Sequence, residues 1–248
     1  MAGPETASLE RRARMHAALG EPVRLAIMDQ LTLADAAPGD LSAAFGLPTN
    51  LLAHHLRVLE EAGLIRRVRS EGDRRRSYVQ LVLDDPAVTA LLHPGPAQES
   101  APRVVFVCTH NSARSQLAAA LWTQVSAVPA TSAGTHPAAR VHPRAVRTGR
   151  RHGLRLEHAR TAHLADVVQP EDLLVTVCDR AHEELPALLP GPRPERLHWA
   201  VPDPAPADTD EAFEAAYLQI SNRVDRLAQA LPHDHPNPPT RIRQGAPR

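Results

Sequence analysis

"VVFVCTHNSARSQLAAALW", residues 104–122, decides the fold of the second half of this chain. Val104 to Val107 form a mostly β-branched apolar run, "THNSA" interrupts it with polar residues, and "RSQLAAALWTQV" resumes with helical apolar spacing. Strand, loop and helix in that order present consecutive backbone N–H groups at the loop, with the positive end of the helix dipole behind them. That arrangement is an oxyanion site. Cys108 ends the strand and Arg114 opens the helix. The dipole and Arg114 would give this cysteine thiolate character and make it a nucleophile facing the anion that the loop binds. Arg114 brings a planar fork matched to two oxygens of a tetrahedral anion. Ser115 can donate to the thiolate and Asn111 can hold the loop through side-chain bonds to backbone, with Thr109, His110, Ser112 and Ala113 completing the turn. The competing reading is a core cysteine at a strand end.

Displacing an oxygen from such an anion needs an acid for the leaving oxygen. "HWAVPDPAPAD" (198–208) offers Asp203, set in a loop by Pro202 and Pro204, with Asp208 and Asp210 as competitors and a plain Asp-Pro turn as the bland alternative.

The chain has 248 residues, 43% of them apolar, which suits two domains with cores of their own. Its two cysteines, 70 positions apart, cannot form the disulfide framework of a secreted scaffold. The first 20 residues lack the apolar core of a signal peptide and no run of about 18 apolar residues occurs, so a cytoplasmic protein with no membrane contact is expected. Acidic and basic residues balance at 28 each, so any basic footprint must be local. "PGPAQESAP" (94–102) reads as a linker and 232–248, rich in proline and aperiodic, as a disordered tail. These divide the chain into domains at 8–93 and 103–231.

Before the linker, "LERRARMHAALG", "EPVRLAIMDQL" and "GDLSAAFG" look helical, and a fourth helix from Thr49 to Ala62 repeats Leu52, Leu56 and Leu59 at helical spacing before Gly63. "RRVRSEGDRRRSYVQLVL" then gives two extended runs around Glu71-Gly72-Asp73, the pattern of a β-hairpin. Helices followed by a hairpin indicate a winged helix-turn-helix. Six arginines lie between Arg66 and Arg76 against Glu71 and Asp73, a local excess suited to DNA phosphates. A solvated hairpin is the alternative.

These N-terminal segments resemble the ArsR/SmtB family of winged-helix repressors. The resemblance implies a homodimer on operator DNA, with Thr49, Asn50, His54, His55 and Arg57 on the recognition helix and Arg74, Arg75 and Arg76 on the wing as DNA-binding residues. It also implies a metal or metalloid sensor, but this domain contains no cysteine, and soft metalloids need thiolates. Adjacent His54 and His55 would point to different helix faces, so no metal site is expected.

Residues 103 to about 230 resemble the low-molecular-weight protein tyrosine phosphatase fold, in its branch of thiol-dependent arsenate reductases. "VCTHNSARSQ" matches the anion loop, "SAGT" (132–135) the following strand end and "DP" (203–204) the acid loop. The resemblance makes Cys108 the nucleophile, Arg114 the anion clamp and Asp203 the acid. The expected fold is thus two domains, a mainly α winged helix-turn-helix followed by an α/β domain whose four-stranded parallel sheet uses strands at 103–108, around 130, at 172–178 and around 197.

Arsenate and phosphate share shape and charge, so the loop alone does not separate a reductase from a phosphatase. Gln116 stands where the phosphatase branch usually has proline, and Ala205 where it usually has an aromatic; both favour the reductase. Cys178 resembles a resolving cysteine, but the third cysteine of the full thiol relay is missing between Asp179 and Pro190. Either Cys178 closes a disulfide with Cys108, or an external thiol system (mycothiol with mycoredoxin, glutathione or thioredoxin) resolves the adduct; an inert strand-end cysteine is the other reading of Cys178. No bound cofactor is expected. The rival readings are a phosphotyrosine phosphatase, a repressor that senses arsenate or phosphate without turnover, and an N-terminal domain that only dimerises. As the only thiols lie in the second domain, Cys108 or Cys178 would be the arsenic ligand of any coupled sensor.

Overall fold

Pro22, Pro38 and Pro86 each stand at the start of a helix, where a missing N–H is harmless and a fixed φ helps. The computed structural model describes residues 4–92, 101–189 and 195–231. Helices α1 (Pro4–Leu19), α2 (Pro22–Leu31), α3 (Pro38–Phe45) and α4 (Thr49–Glu61) pack around Ile27, Met28, Leu41, Leu52, Leu56 and Leu59, all buried. At the end of α4, Gly63 adopts φ +73°, its N–H donates to the Glu60 carbonyl, and the Leu64 N–H donates to that of Leu59, a closed Schellman turn. The chain leaves it into β1 (Ile65–Arg69), which pairs antiparallel with β2 (Ser77–Leu81) in the register Ile65↔Leu81, and then into the single turn α5 (Pro86–Thr89). The winged helix-turn-helix is therefore present, with β1 and β2 as its wing.

The second half runs β3 (Val104–Cys108), α6 (Arg114–Val125), β4 (Ala130–Gly134), α7 (Pro143–Arg151), α8 (Leu164–Val167), β5 (Leu173–Thr176), α9 (Asp179–Leu188), β6 (Arg196–His198) and α10 (Asp210–Ala230). The four strands form one parallel sheet in the order β4-β3-β5-β6. All five residues of β3 are buried, as a central parallel strand requires. The strand order reverses between β3 and β5, and ligands of open α/β sheets bind at such a point, beyond the carboxyl ends of the strands. Cys108 ends β3, and Cys178 lies two residues past β5.

Each half has its own apolar core, and a polar seam joins them. The Trp199 indole donates to the Leu33 carbonyl at 2.7 Å, and Asp35 accepts from Arg223, Gln80 and the Ala200 N–H. The wing apex is part of the seam: Ser70 Oγ and the Asp73 N–H both donate to Glu183 at 2.7 Å. The wing, for which the sequence suggests a DNA-binding hairpin with a solvated hairpin as the alternative, is docked at its tip on α9. The expected linker, apart from Ala101 and Pro102, and the expected tail lie outside the described residues. Among the described residues no helix is long and apolar enough to cross a membrane.

Candidate active site

Asn111 takes the left-handed conformation, φ 49°, and its side chain ties the loop after β3 to its surroundings. Its Nδ2 donates to Ser115 Oγ and Ser132 Oγ, both at 2.9 Å, while its Oδ1 accepts the Ala162 N–H at 2.8 Å. The Asn111 N–H points at Cys108 Sγ (3.2 Å), and Ser115 Oγ lies 3.1 Å from the same sulfur. Gln116 donates to the Asn111 carbonyl at 3.0 Å and to the Arg160 carbonyl at 2.9 Å, closing the loop from behind. Gly134 is needed where β4 abuts the loop: a Cβ there would lie 2.8 Å from the Thr109 carbonyl oxygen. Ala113, the N-cap of α6, offers no side-chain acceptor, which leaves the first-turn amides of α6 to a ligand.

Arg114 is buried at the head of α6. It donates to the Val201 carbonyl at 2.8 Å and pairs with Asp203 at 3.1 Å and with Glu71 at 3.4 Å. Burial works against its charge, but Cys178, Asp203, Cys108 and Glu71 together hold its pKa above the ordinary value. Asp203 thus sits beside Arg114, while Asp208 and Asp210 pair with Arg144 instead. A cavity of about 520 Å³ is lined by Thr109 and His110, which follow Cys108 in the loop, by Arg114, Cys178 and Asp203, and also by Arg69, Glu71, Arg74 and Arg180.

Cys178 caps α9, accepting the Ala181 N–H at 3.4 Å, and Thr109 Oγ1 lies 3.4 Å from its sulfur. Burial pushes its thiol up to about 11, in spite of the nearby Arg114. Both cysteines are free thiols.

Residues 103–237 match the family described as low molecular weight phosphotyrosine protein phosphatase. The chain belongs to this family. Residues 19–68 match a helix-turn-helix domain. The phosphatase-family domain is 30% identical over 139 residues to an arsenate reductase of Bacillus licheniformis, covering 51% of this chain and 94% of the relative. It is 32% identical over 127 residues to an arsenate reductase of Halalkalibacterium halodurans, covering 50% and 89%. A crystal structure of an arsenate reductase from Archaeoglobus fulgidus is 31% identical, with a TM-score of 0.44, over 50% of this chain and 98% of that one.

Away from the phosphatase-family site, Thr49, Asn50, His54 and Arg57 are exposed along α4, and Arg57 Nη2 lies 3.2 Å from His54 Nδ1. His55 does not join them. It is buried, with Nδ1 3.5 Å from the Glu21 carboxylate, because the periodicity that sends Leu52, Leu56 and Leu59 inward carries it to the core side. On the wing, Arg75 forms a two-point pair with Asp73, holding that carboxyl at about 2, whereas Arg74 turns to the cavity over Arg114. Glu71, Arg69 and Arg180, none of them singled out from sequence, also line that cavity. An acid at the apex of an arginine-rich hairpin is the sequence signal for Glu71, and local spacing alone gives it no partner in the second half. Among the described residues no group of three or more His, Cys, Asp or Glu side chains is arranged to hold a metal ion.

Proposed function

We propose that the phosphatase-family domain reduces arsenate with Cys108 as nucleophile and that the helix-turn-helix domain binds operator DNA as a homodimer. The supporting observation is the loop itself, where Cys108 Sγ is fixed by Asn111 and Ser115 next to the buried fork of Arg114, in a domain whose relatives are arsenate reductases. Arsenate takes the Arg114 guanidinium and the α6 amides, which releases Asp203 from its pair with Arg114. The Cys108 sulfur then attacks arsenic. An S–As bond forms, an As–O bond breaks, and Asp203 supplies the proton with which the oxygen leaves as water.

In the second step a thiolate attacks Cys108 Sγ, and the S–As electron pair stays with arsenic, which departs as arsenite while two sulfurs are oxidised to a disulfide. Attack needs a thiolate, which burial disfavours at Cys178. In this reading an external thiol, such as mycothiol with mycoredoxin, glutathione or thioredoxin, resolves the adduct, and a Cys108–Cys178 disulfide is the alternative. The test supplies the full chain with arsenate and each thiol system and measures arsenite and oxidised thiol, with p-nitrophenyl phosphate in parallel. Arsenite formation abolished in Cys108→Ser is expected. Turnover of the phosphate ester without arsenite would sink the reductase reading in favour of a phosphatase, the activity for which the matched family is named.

A further inference from the structure

A residue of the DNA-binding half stands in the mouth of the anion pocket. Glu71 Oε2 lies 3.4 Å from Arg114 Nη1, and the Asp203 backbone N–H donates to both Glu71 oxygens, at 3.1 and 2.9 Å. The placement is built rather than incidental. The Glu71 N–H donates to Asp179 at 2.9 Å, and Ser70 and Asp73 on either side of the apex bond Glu183. Gly72 completes the fit, since a Cβ there would meet Glu183 Oε2 at 2.3 Å and Arg180 Cα at 3.1 Å. Arg69 and Arg74 of the same wing line the same cavity.

We propose that Glu71 is a latch displaced by the oxyanion, so that occupancy of the catalytic pocket weakens operator binding and the pocket doubles as the ligand site of the regulator. A tetrahedral dianion and the Glu71 carboxylate want the same guanidinium, and like charges do not share one partly buried site without strong repulsion. The docked wing is held in one conformation with Arg75 and Arg76 turned to solvent, available to DNA phosphates. An anion in the pocket undoes this by expelling Glu71, which frees the apex from Arg114 and Asp203. The ligand class is a tetrahedral oxyanion, and the helix-turn-helix domain needs no thiolate of its own. Because coupling free energy is reciprocal, operator DNA must weaken oxyanion binding by the same factor. The inference rests on reading the Cys108 loop as an anion site and extends that reading to regulation.

The experiment uses the full chain and inorganic phosphate, a tetrahedral anion that is not reduced, at ionic strength held constant with chloride. Phosphate binding is measured by calorimetry, and DNA binding by anisotropy on a duplex that the full chain selects from a random pool. Phosphate should weaken operator binding, and Glu71→Ala should bind phosphate about fivefold tighter, the scale of a half-exposed ion pair. The same variant should hold the operator at the level of phosphate-saturated wild type, with little further response to phosphate. Cys108→Ser should lose arsenate turnover and keep the phosphate effect on DNA. Equal phosphate affinity in wild type and Glu71→Ala would overturn the latch. So would operator affinity indifferent to phosphate, or no selection of any duplex, with phosphate still bound. If wild type binds no phosphate, the anion-site reading itself fails and this inference with it.

Discussion

A single left-handed residue shapes the loop on which the chemistry stands. Asn111 spends every polar side-chain atom on the loop and its neighbours, so Asn111→Ala removes those bonds and leaves Ala162 N–H, Ser115 and Ser132 short of a partner while keeping the unfavourable φ of 49°. We expect a loss of about 2–4 kcal/mol in urea denaturation, with turnover falling further than the stability loss explains because Cys108 loses its alignment. A destabilisation under about 1 kcal/mol would show that the network contributes little. Cys178 gives the opposite expectation. If an external thiol resolves the adduct, Cys178→Ser should keep most of the arsenite-forming rate with that thiol in excess. Abolition of turnover, with a Cys108–Cys178 disulfide trapped in wild type by mass spectrometry, would assign Cys178 the resolving step instead.

Among the elements, α4 and the wing carry the arginines proposed to meet DNA. Arg57→Ala and Arg76→Ala should each lower the slope of log affinity against log salt by about 1 where one phosphate contact is lost, whereas His55→Ala should lower the thermal midpoint and leave the salt slope unchanged, since His55 faces Glu21 and the core. Gly72→Val tests the wing from another side. Its added bulk meets the backbone of α9, so it should undock the apex and resemble Glu71→Ala in both phosphate and operator affinity. These elements differ in how far the sequence disclosed them. The strand, loop and helix from Val104 to Val125 were legible because a continuous apolar run, helical spacing and the Cys108 to Arg114 interval are local properties of the chain. The hairpin was legible for the same reason. Where its tip goes was not, because docking depends on how two separately cored halves meet, and no local period encodes that meeting. His55 is grouped with the DNA-facing residues by resemblance, although adjacent helix positions face different ways, and the helix turns it to the core side.

At the scale of the whole molecule, polar groups rather than a shared apolar core hold the halves together, and this makes the union sensitive to protons and to single deletions. His182 lies in the seam beside Tyr78 and His198, and burial, with repulsion from His198 and Arg196, lowers its pKa to about 3. Unfolded, it titrates near 6.5, so between those values the unfolded chain binds a proton that the folded one refuses. Stability should therefore decline as pH falls from about 6.5 towards 3, and His182→Gln should flatten that part of a urea-midpoint profile; an unchanged profile would discount His182. Asp35 is the more stringent probe. It and Arg223 are each 4% exposed, and Asp35 also takes the Gln80 amide at 2.8 Å and the Ala200 N–H at 2.7 Å. Asp35→Ala leaves a guanidinium buried without its counter-charge, so a loss of about 3–5 kcal/mol is expected, where an exposed pair would yield under about 1. Asp35→Leu combined with Arg223→Met removes both charges, so the double variant should be more stable than either single one, giving a large coupling energy in a double-mutant cycle. Trp199 reports the same event optically, because its indole bond to Leu33 spans the seam. If the seam unites the halves, wild type unfolds in one transition and Asp35→Ala in two, with the Trp199 signal changing in the first. A single transition at the wild-type midpoint in Asp35→Ala would mean that the halves are held by something other than this buried pair.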